Sequence, residues 1–339
     1  MDLPYLTAAL PGIGGVLRAS PEDFVVDEEP AYPPSGAGDH VFVRIEKRGV
    51  TTPQAVDQIA RALGINTRDI GVAGMKDRHA VTRQWLSLPP PVTPEAASAL
   101  VLEGVSILEA TRHPHKLRTG HVRANRFVLR VRGVTQDAER DARAILDALA
   151  KPPGAPNWYG EQRFGRDGDN AEKGLAIVRG ERPPRDRKLA RLLVSSLQSK
   201  LFNEWLVARM ADGLYARVIA GDVLHKTGGG QFVCEDPTVD EPRLHARELV
   251  VTGPMFGDRM RMAASDAAVR EQAILDAAGL TRESFASVRA IAEGTRRDAT
   301  IEVGAPLVQV VEPGVIEVSF SLPGGAYATA VMREVMKSS

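Results

Sequence analysis

Two hydrophobic periods share this 339-residue chain, and their order along it limits the folds open to it. Alternation of apolar and polar side chains marks strands, whereas recurrence every three or four residues marks helices. Strand-like segments lie towards both ends, and the helical period dominates from about residue 169 to 287. In the first part, Val41, Val43 and Ile45 alternate with Arg44 and Glu46, and Phe42 makes that strand apolar on both faces at one point. Pro53 opens a helix that carries Ala55, Val56, Ile59, Ala60 and Leu63 and stops at Gly64. Strands follow over 80–88, 106–111 and 127–131, then a helix over 137–149 closed by Pro152-Pro153-Gly154.

In the middle block, the longest amphipathic stretch runs from Lys188 to Met210, with Leu189, Leu192, Leu193, Leu197, Leu201, Trp205 and Leu206 near one stripe. Shorter helices are predicted over 265–278 and 282–293, and Thr227-Gly228-Gly229-Gly230 reads as a turn. Strands return at 307–311 and 315–320 around Glu312-Pro313-Gly314, and a helix over 326–336 ends the pattern. A terminal β segment of roughly forty residues is too small to stand as a domain. The simplest architecture is therefore one discontinuous mixed α/β domain with a helical domain inserted. Two sequential domains with a terminal extension are the alternative.

Composition removes several classes. Apolar residues make up 43% and charged residues 25%, which excludes wholesale disorder. A single cysteine, Cys234, excludes an intramolecular disulfide framework and a cysteine-rich zinc site. No run approaches about eighteen apolar residues, so no membrane-spanning segment is expected. Met1-Asp2-Leu3-Pro4 lacks the basic-then-apolar order of a signal peptide, which gives the expectation of a cytoplasmic enzyme.

Lys and Arg together number 43, as do Asp and Glu, but the balance hides segregation. No acid occurs from Ala110 to Gln136, a stretch carrying Arg112, Lys116, Arg118, Arg123, Arg126, Arg130 and Arg132. A second cluster holds Arg182, Arg185, Arg187, Lys188 and Arg191, with Glu181 and Asp186 among them, while Glu22, Asp23, Asp27, Glu28 and Glu29 form an acidic group. Two readings are open for each basic cluster: a solvated face, or a surface for a phosphate backbone. His113 and His115 have no carboxylate or thiol near them in sequence, so a metal site is not expected. Trp158, Tyr159 and Phe164 stand among Asn157, Gln162 and Arg163, and fit either base stacking or a buried interdomain hinge.

The most unusual local sequence is Gly74-Met75-Lys76-Asp77-Arg78-His79-Ala80. Its carboxylate lies between two cations, which favour the ionised form, and an ionised carboxylate can act as a nucleophile. The ordinary alternative is a solvated or capping turn residue. There is no phosphate-binding loop of the Gly-x-x-x-x-Gly-Lys type and no Gly-x-Ser-x-Gly elbow, and Gly12, Gly14 and Gly15 follow Pro11 without a preceding strand.

At these residues the chain resembles the TruD family of tRNA pseudouridine synthases. Leu17 to Val26 is similar to its N-terminal signature, and Ala73 to Thr82 to the motif that holds its catalytic aspartate. Pro34-Ser35-Gly36, Gly38, His40, Thr51-Thr52, Asn125-Arg126-Phe127, the 157–165 segment, Ser199, Leu201-Phe202-Asn203, Gly221-Asp222, Thr252-Gly253-Pro254, Leu322-Pro323-Gly324 and Tyr327-Ala328-Thr329 follow in the family's order.

The resemblance implies an α+β fold. A pseudouridine synthase catalytic domain, with a mixed, largely antiparallel sheet and flanking helices, would occupy 1–156 and 301–339, interrupted by a mostly helical insertion domain at 157–300. It implies an isomerase that converts uridine at tRNA position 13 to pseudouridine without a metal or cofactor, with tRNA as partner and no obligate protein partner. Asp77 would be the nucleophile, and Arg18, where many relatives carry Lys, would orient it through a bidentate pair. Phe24, Asn125 and Tyr327 match positions that contact the target nucleotide, and Phe127 matches a stacking position in the pocket. Ala124 stands where relatives often have Gly, and Tyr327 where some have Phe. Arg118, Arg123 and Arg126 are the expected RNA-backbone contacts. Direct attack of Asp77 on C1′ and a glycal route both remain open. A catalytically inactive RNA-binding module of the same fold is the competing reading. An RNA-directed hydrolase or methyltransferase is a further one, though no glycine-rich strand-to-helix motif supports a methyl-donor site.

Overall fold

The computed structural model describes residues 3–337. Met1 and Asp2, on which the expectation for the chain's start partly rests, lie outside them. In chain order the main strands are β1 (Phe24–Pro30), β2 (His40–Lys47), β3 (Val81–Leu88), β4 (Val105–His113) and β5 (Val122–Arg132). Then come β6 (Val223–Lys226), β7 (Gln231–Val233), β8 (Leu249–Met255), β9 (Thr295–Asp298), β10 (Gly304–Glu312) and β11 (Val315–Pro323). The main helices are α1 (Thr52–Leu63), α2 (Ala138–Ala150), α3 (Asn170–Val178), α4 (Arg187–Ala211), α5 (Pro237–His245), α6 (Ser265–Ala277) and α7 (Ala328–Met336).

Residues 9–147, 303–328 and 335–337 form one compact unit. Its sheet has the order β10-β11-β5-β1-β3-β2-β4, and two-residue strands at Val16–Leu17 and Gly71–Val72 add to β5 and β3. Only β1 and β3 run parallel; the other neighbours are antiparallel. The chain leaves this sheet and returns to it at β10. Both faces of β2 are covered. Val41, Val43 and Ile45 pack with Leu86 and Leu88 against Ala55 and Ile59 of α1. Phe42 packs on the other face with Ala73, Trp85 and Leu117. Each such large apolar side chain contributes about 1.5–3 kcal/mol relative to exposure.

Helix α1 begins where its cap dictates. The Thr51 hydroxyl accepts the Gln54 N–H (3.3 Å) while the Gln54 side chain accepts the Thr51 N–H (2.8 Å). Gly64 ends it in the left-handed conformation, at φ 66°. In this unit strand β1 escapes the periodicity reading, because its second half reads Asp27-Glu28-Glu29. It nevertheless sits inside the sheet, between β5 and β3. Its acids are matched by cations: Arg44 donates to both oxygens of Asp27, at 2.8 and 2.6 Å.

Residues 3–8, 148–302 and 329–334 form the second unit. Helices α3 to α6 dominate its regular structure, but an antiparallel sheet of order β7-β6-β8-β9 accompanies them. These strands are only three to seven residues long, too short for alternation to stand out against the helical period. Lys226 to Gly230 turns the chain between β6 and β7, as the glycine run predicts. Gly253 in β8 is required by packing, since a Cβ there would lie 2.4 Å from the Trp205 ring. Along α4, Leu193, Leu197, Leu201, Trp205 and Leu206 are buried, but Leu189 and Leu192 are each 42% exposed, so the apolar stripe begins before the core does.

The helix predicted over 282–293 is replaced by a 3-10 turn, Glu283–Val288. Here the Ser284 hydroxyl accepts the Thr281 N–H and Ser287 donates to the Ser284 carbonyl, local bonds that compete with the helical ladder. Trp158 and Tyr159 are 1% and 8% exposed and pack with Phe202 and Trp205. Of the two readings of this aromatic cluster, burial is the one these two rings follow. They are closed off from stacking on a free base.

Candidate active site

The loop that carries Asp77 joins Gly71–Val72 to β3 and is anchored from beneath at three points. Thr52, in the first turn of α1, accepts the Lys76 N–H (3.0 Å) and donates to the Gln84 side chain (2.9 Å). Gln84 in turn reaches the Gly74 carbonyl at 3.4 Å. Lys47, at the end of β2, donates to the carbonyls of Val50 (3.0 Å), Lys76 (3.2 Å) and Asp77 (2.7 Å).

Above this base, both oxygens of Asp77 are engaged. Oδ1 accepts the His79 N–H at 3.0 Å, and Oδ2 lies 3.1 Å from Nη1 of Arg18. The side chains of Arg18 and Asp77 remain 24% and 32% exposed, so the pair is open to an incoming group. Arg18 itself has a left-handed backbone, φ 66°, an unusual conformation for a residue other than glycine. Its guanidinium lies 4.0 Å from the centroid of Phe24. The bidentate pair expected between Arg18 and Asp77 is not the one formed. With the guanidinium laid over the ring, one amino group meets the carboxylate, and the buried Nε has no hydrogen-bond partner.

Phe24 and Phe127 are 4% and 6% exposed and meet edge to face, with centroids 6.2 Å apart. Phe127 also packs on Phe320 at 5.7 Å. Together these rings form an apolar wall behind the guanidinium. Asn125 lies two residues from Phe127 on the same strand face. It is buried, and its Oδ1 has no hydrogen-bond partner. An unfilled buried acceptor costs roughly 1–3 kcal/mol, a cost that a donor arriving with a ligand removes. Tyr327 is 44% exposed and follows β11, whose Leu322 pairs with Asn125.

Two residues of this neighbourhood were not legible as site residues. Glu28 stands in sequence only as a member of an acidic group, yet it is buried, accepts the Trp85 N–H (3.1 Å) and pairs with Lys76 at 2.5 Å. Lys47 passed unnoticed, although a signal existed: it is the fourth member of the inward-facing series Val41, Val43, Ile45.

The acid-free basic stretch is acid-free only along the chain. Arg130 pairs with Glu317 at 3.0 Å, and Arg132 with Asp23 at 2.8 Å and Glu312 at 3.1 Å. Hydrogen bonding from Arg132 holds the Asp23 carboxyl below its ordinary value despite burial. The three arginines expected at the RNA backbone are all exposed. Arg118 is exposed in the β4–β5 loop, and Arg123 is exposed but paired with Glu29 at 2.8 Å. Arg126 is exposed and, opposite Asp27 and Ser321, stands on the sheet face away from Asn125 and Phe127. His113 packs its ring against Tyr32 and Phe42, and burial pushes its pKa down, with His115 and His40 adding to the shift. In the second unit, Arg182, Arg185, Arg187, Lys188 and Arg191 are all exposed, and none forms an ion pair among the described residues.

The architecture matches a crystal structure titled a putative tRNA pseudouridine synthase D (TruD) from Methanosarcina mazei, with a TM-score of 0.77 over 100% of this chain and 99% of that one. At 22% identity this likeness is one of fold: a mixed α+β sheet with flanking helices. The family model described as tRNA pseudouridine synthase D (TruD) matches residues 1–183 and 185–335. A tRNA pseudouridine synthase D from Anaeromyxobacter dehalogenans is 52% identical over 343 residues, covering 99% of this chain and 97% of that protein. One from Thermus thermophilus is 42% identical over 335 residues, covering 98% and 92%. The chain belongs to the tRNA pseudouridine synthase D (TruD) family.

Proposed function

We propose that this protein is an isomerase that converts a uridine of tRNA, the one at position 13, to pseudouridine. The observation that carries the reading is the Asp77 carboxylate, half-open to solvent and held 3.1 Å from Arg18 on a loop fixed by three anchors. Uridine and pseudouridine have the same atoms. The C1′–N1 bond breaks, the uracil turns, C1′–C5 forms, the C5 proton leaves and N1 gains one. The net change needs no oxidant, reductant or second substrate, so neither metal nor cofactor enters the proposal.

The target nucleotide must leave the RNA stack to reach a protein carboxylate, at a cost of a few kcal/mol. Asp77 then attacks C1′, or assists proton removal as the sugar departs as a glycal. In either route Arg18 fixes the carboxylate by its charge. Phe24 and Phe127 supply the apolar wall that retains the detached base, and Asn125 offers it a carboxamide with a free acceptor. Tyr327 is the exposed contact to the nucleotide. In this reading 1–156 and 301–339 make the catalytic domain and 157–300 the insertion domain, tRNA is the one partner required, and the compartment is the cytoplasm. Among the described residues no helix is long and apolar enough to cross a membrane.

The direct test is incubation with an unmodified tRNA transcript followed by mapping of pseudouridine. Modification confined to position 13 is expected. No pseudouridine, with tRNA still bound, would instead identify an inactive binding module. Backbone binding by Arg118, Arg123 and Arg126 has its own readout. Replacing all three with Ala should weaken tRNA binding and reduce the slope of log affinity against log salt by about one for each phosphate no longer neutralised. An unchanged slope would place them off the RNA, and the exposed cations around Arg187 would become the better surface.

A further inference from the structure

We infer that Lys47 is a positioning residue for the reaction, acting as a charged peg that sets the height and orientation of the Asp77 backbone. The inference rests on the proposed role of Asp77. Lys47 has no exposed surface, and its ammonium donates to the carbonyls of Val50, Lys76 and Asp77. The ammonium has three donors, and all three are committed to the backbone around the reactive carboxylate. A buried lysine kept only for packing would be replaced at little cost by an apolar side chain of similar length. Here the apolar replacement would leave three converging carbonyls without that donor.

The charge is also conditional. Burial pulls the Lys47 pKa down to about 8, opposed by the Asp77 carboxylate and reinforced by Lys76. Those two loop residues are the charged groups that face it, Lys76 being tied to Glu28 and Asp77 to Arg18. The paired strand contributes Thr82 opposite Lys47, which does not titrate. As pH rises through about 8 the ammonium loses a proton and one donor. The peg then slackens. The mechanism therefore acquires an alkaline limit set by a group that never touches the RNA.

The experiment measures single-turnover pseudouridine formation with saturating tRNA from about pH 6 to 9.5, together with tRNA affinity and thermal midpoint. The wild-type rate should fall as pH passes about 8, with affinity constant. Lys47→Met should lower the rate about 100-fold at neutral pH, the scale of a misplacement near 1 Å, keep tRNA affinity within about twofold, and show no alkaline fall. Lys47→Arg, charged throughout this range, should move the alkaline fall to higher pH, and it carries the test if the Met variant does not fold. A wild-type rate flat beyond pH 9, or variants that keep the wild-type rate and alkaline fall, would overturn the inference. Pseudouridine formation by an Asp77→Asn control would instead remove the reading on which it rests, so the two failures are distinct.

Discussion

Asp77→Asn is expected to lower pseudouridine formation by at least about 1,000-fold, equivalent to roughly 4 kcal/mol or more of transition-state stabilisation. The substitution is nearly isosteric. The carboxamide oxygen can still accept the His79 N–H that Oδ1 accepts at 3.0 Å, and the backbone carbonyl keeps its bond to Lys47. What disappears is the negative charge facing Arg18 and the capacity to form a bond to C1′. Because in the proposed reading the side chain is only one of many groups meeting the RNA, affinity for tRNA should change by no more than a few fold. Tritium released from uracil C5 measures the first quantity and filter binding the second. Turnover near the wild-type level would take the nucleophile role away from Asp77. Parallel collapse of binding and rate would mean that the loop had been disturbed as a whole.

Glu28→Ala should produce the largest drop in stability near the site, about 3–5 kcal/mol in urea unfolding. The Glu28 side chain is fully buried and that of Lys76 is 9% exposed, so removing the acid strands an ammonium with little water to solvate it. The Trp85 N–H is also left without its acceptor. If the stranded charge is the cause, Lys76→Met introduced beside Glu28→Ala should recover a substantial part of the stability. A single mutant within about 1 kcal/mol of wild type would show that water reaches the pair and that it behaves like a surface salt bridge.

Much of the fold could be read from residues whose neighbours in sequence are also their partners in space. The Thr51-to-Gly64 helix announced its cap, its apolar face and its stop, and β2 announced a two-faced burial through Phe42. What escaped depends on distant partners. β1 looked like an acidic group because Arg44, Arg83 and Lys76, which neutralise it, come from other segments. The same blindness made residues 110–136 look more basic than they are, since Asp23, Glu312 and Glu317 arrive from far along the chain. Arg18 and Asp77 were legible as a pair only through resemblance, since nothing in their spacing brings residues 18 and 77 together. Their single link, rather than a forked one, depends on where the Phe24 ring lies.

The order of the central sheet carries a consequence for how the protein is made. Asn125 and Phe127 belong to β5, and one edge of β5, from Ala124 to Arg132, is paired by β11, which follows the long 148–302 segment of the second unit in sequence. A nascent chain that has not reached residue 323 therefore presents an open, largely apolar strand where the finished protein has a wall. The wall cannot be complete before β11 has been made and has paired. Until then the incomplete polypeptide has reason to need shielding by a chaperone.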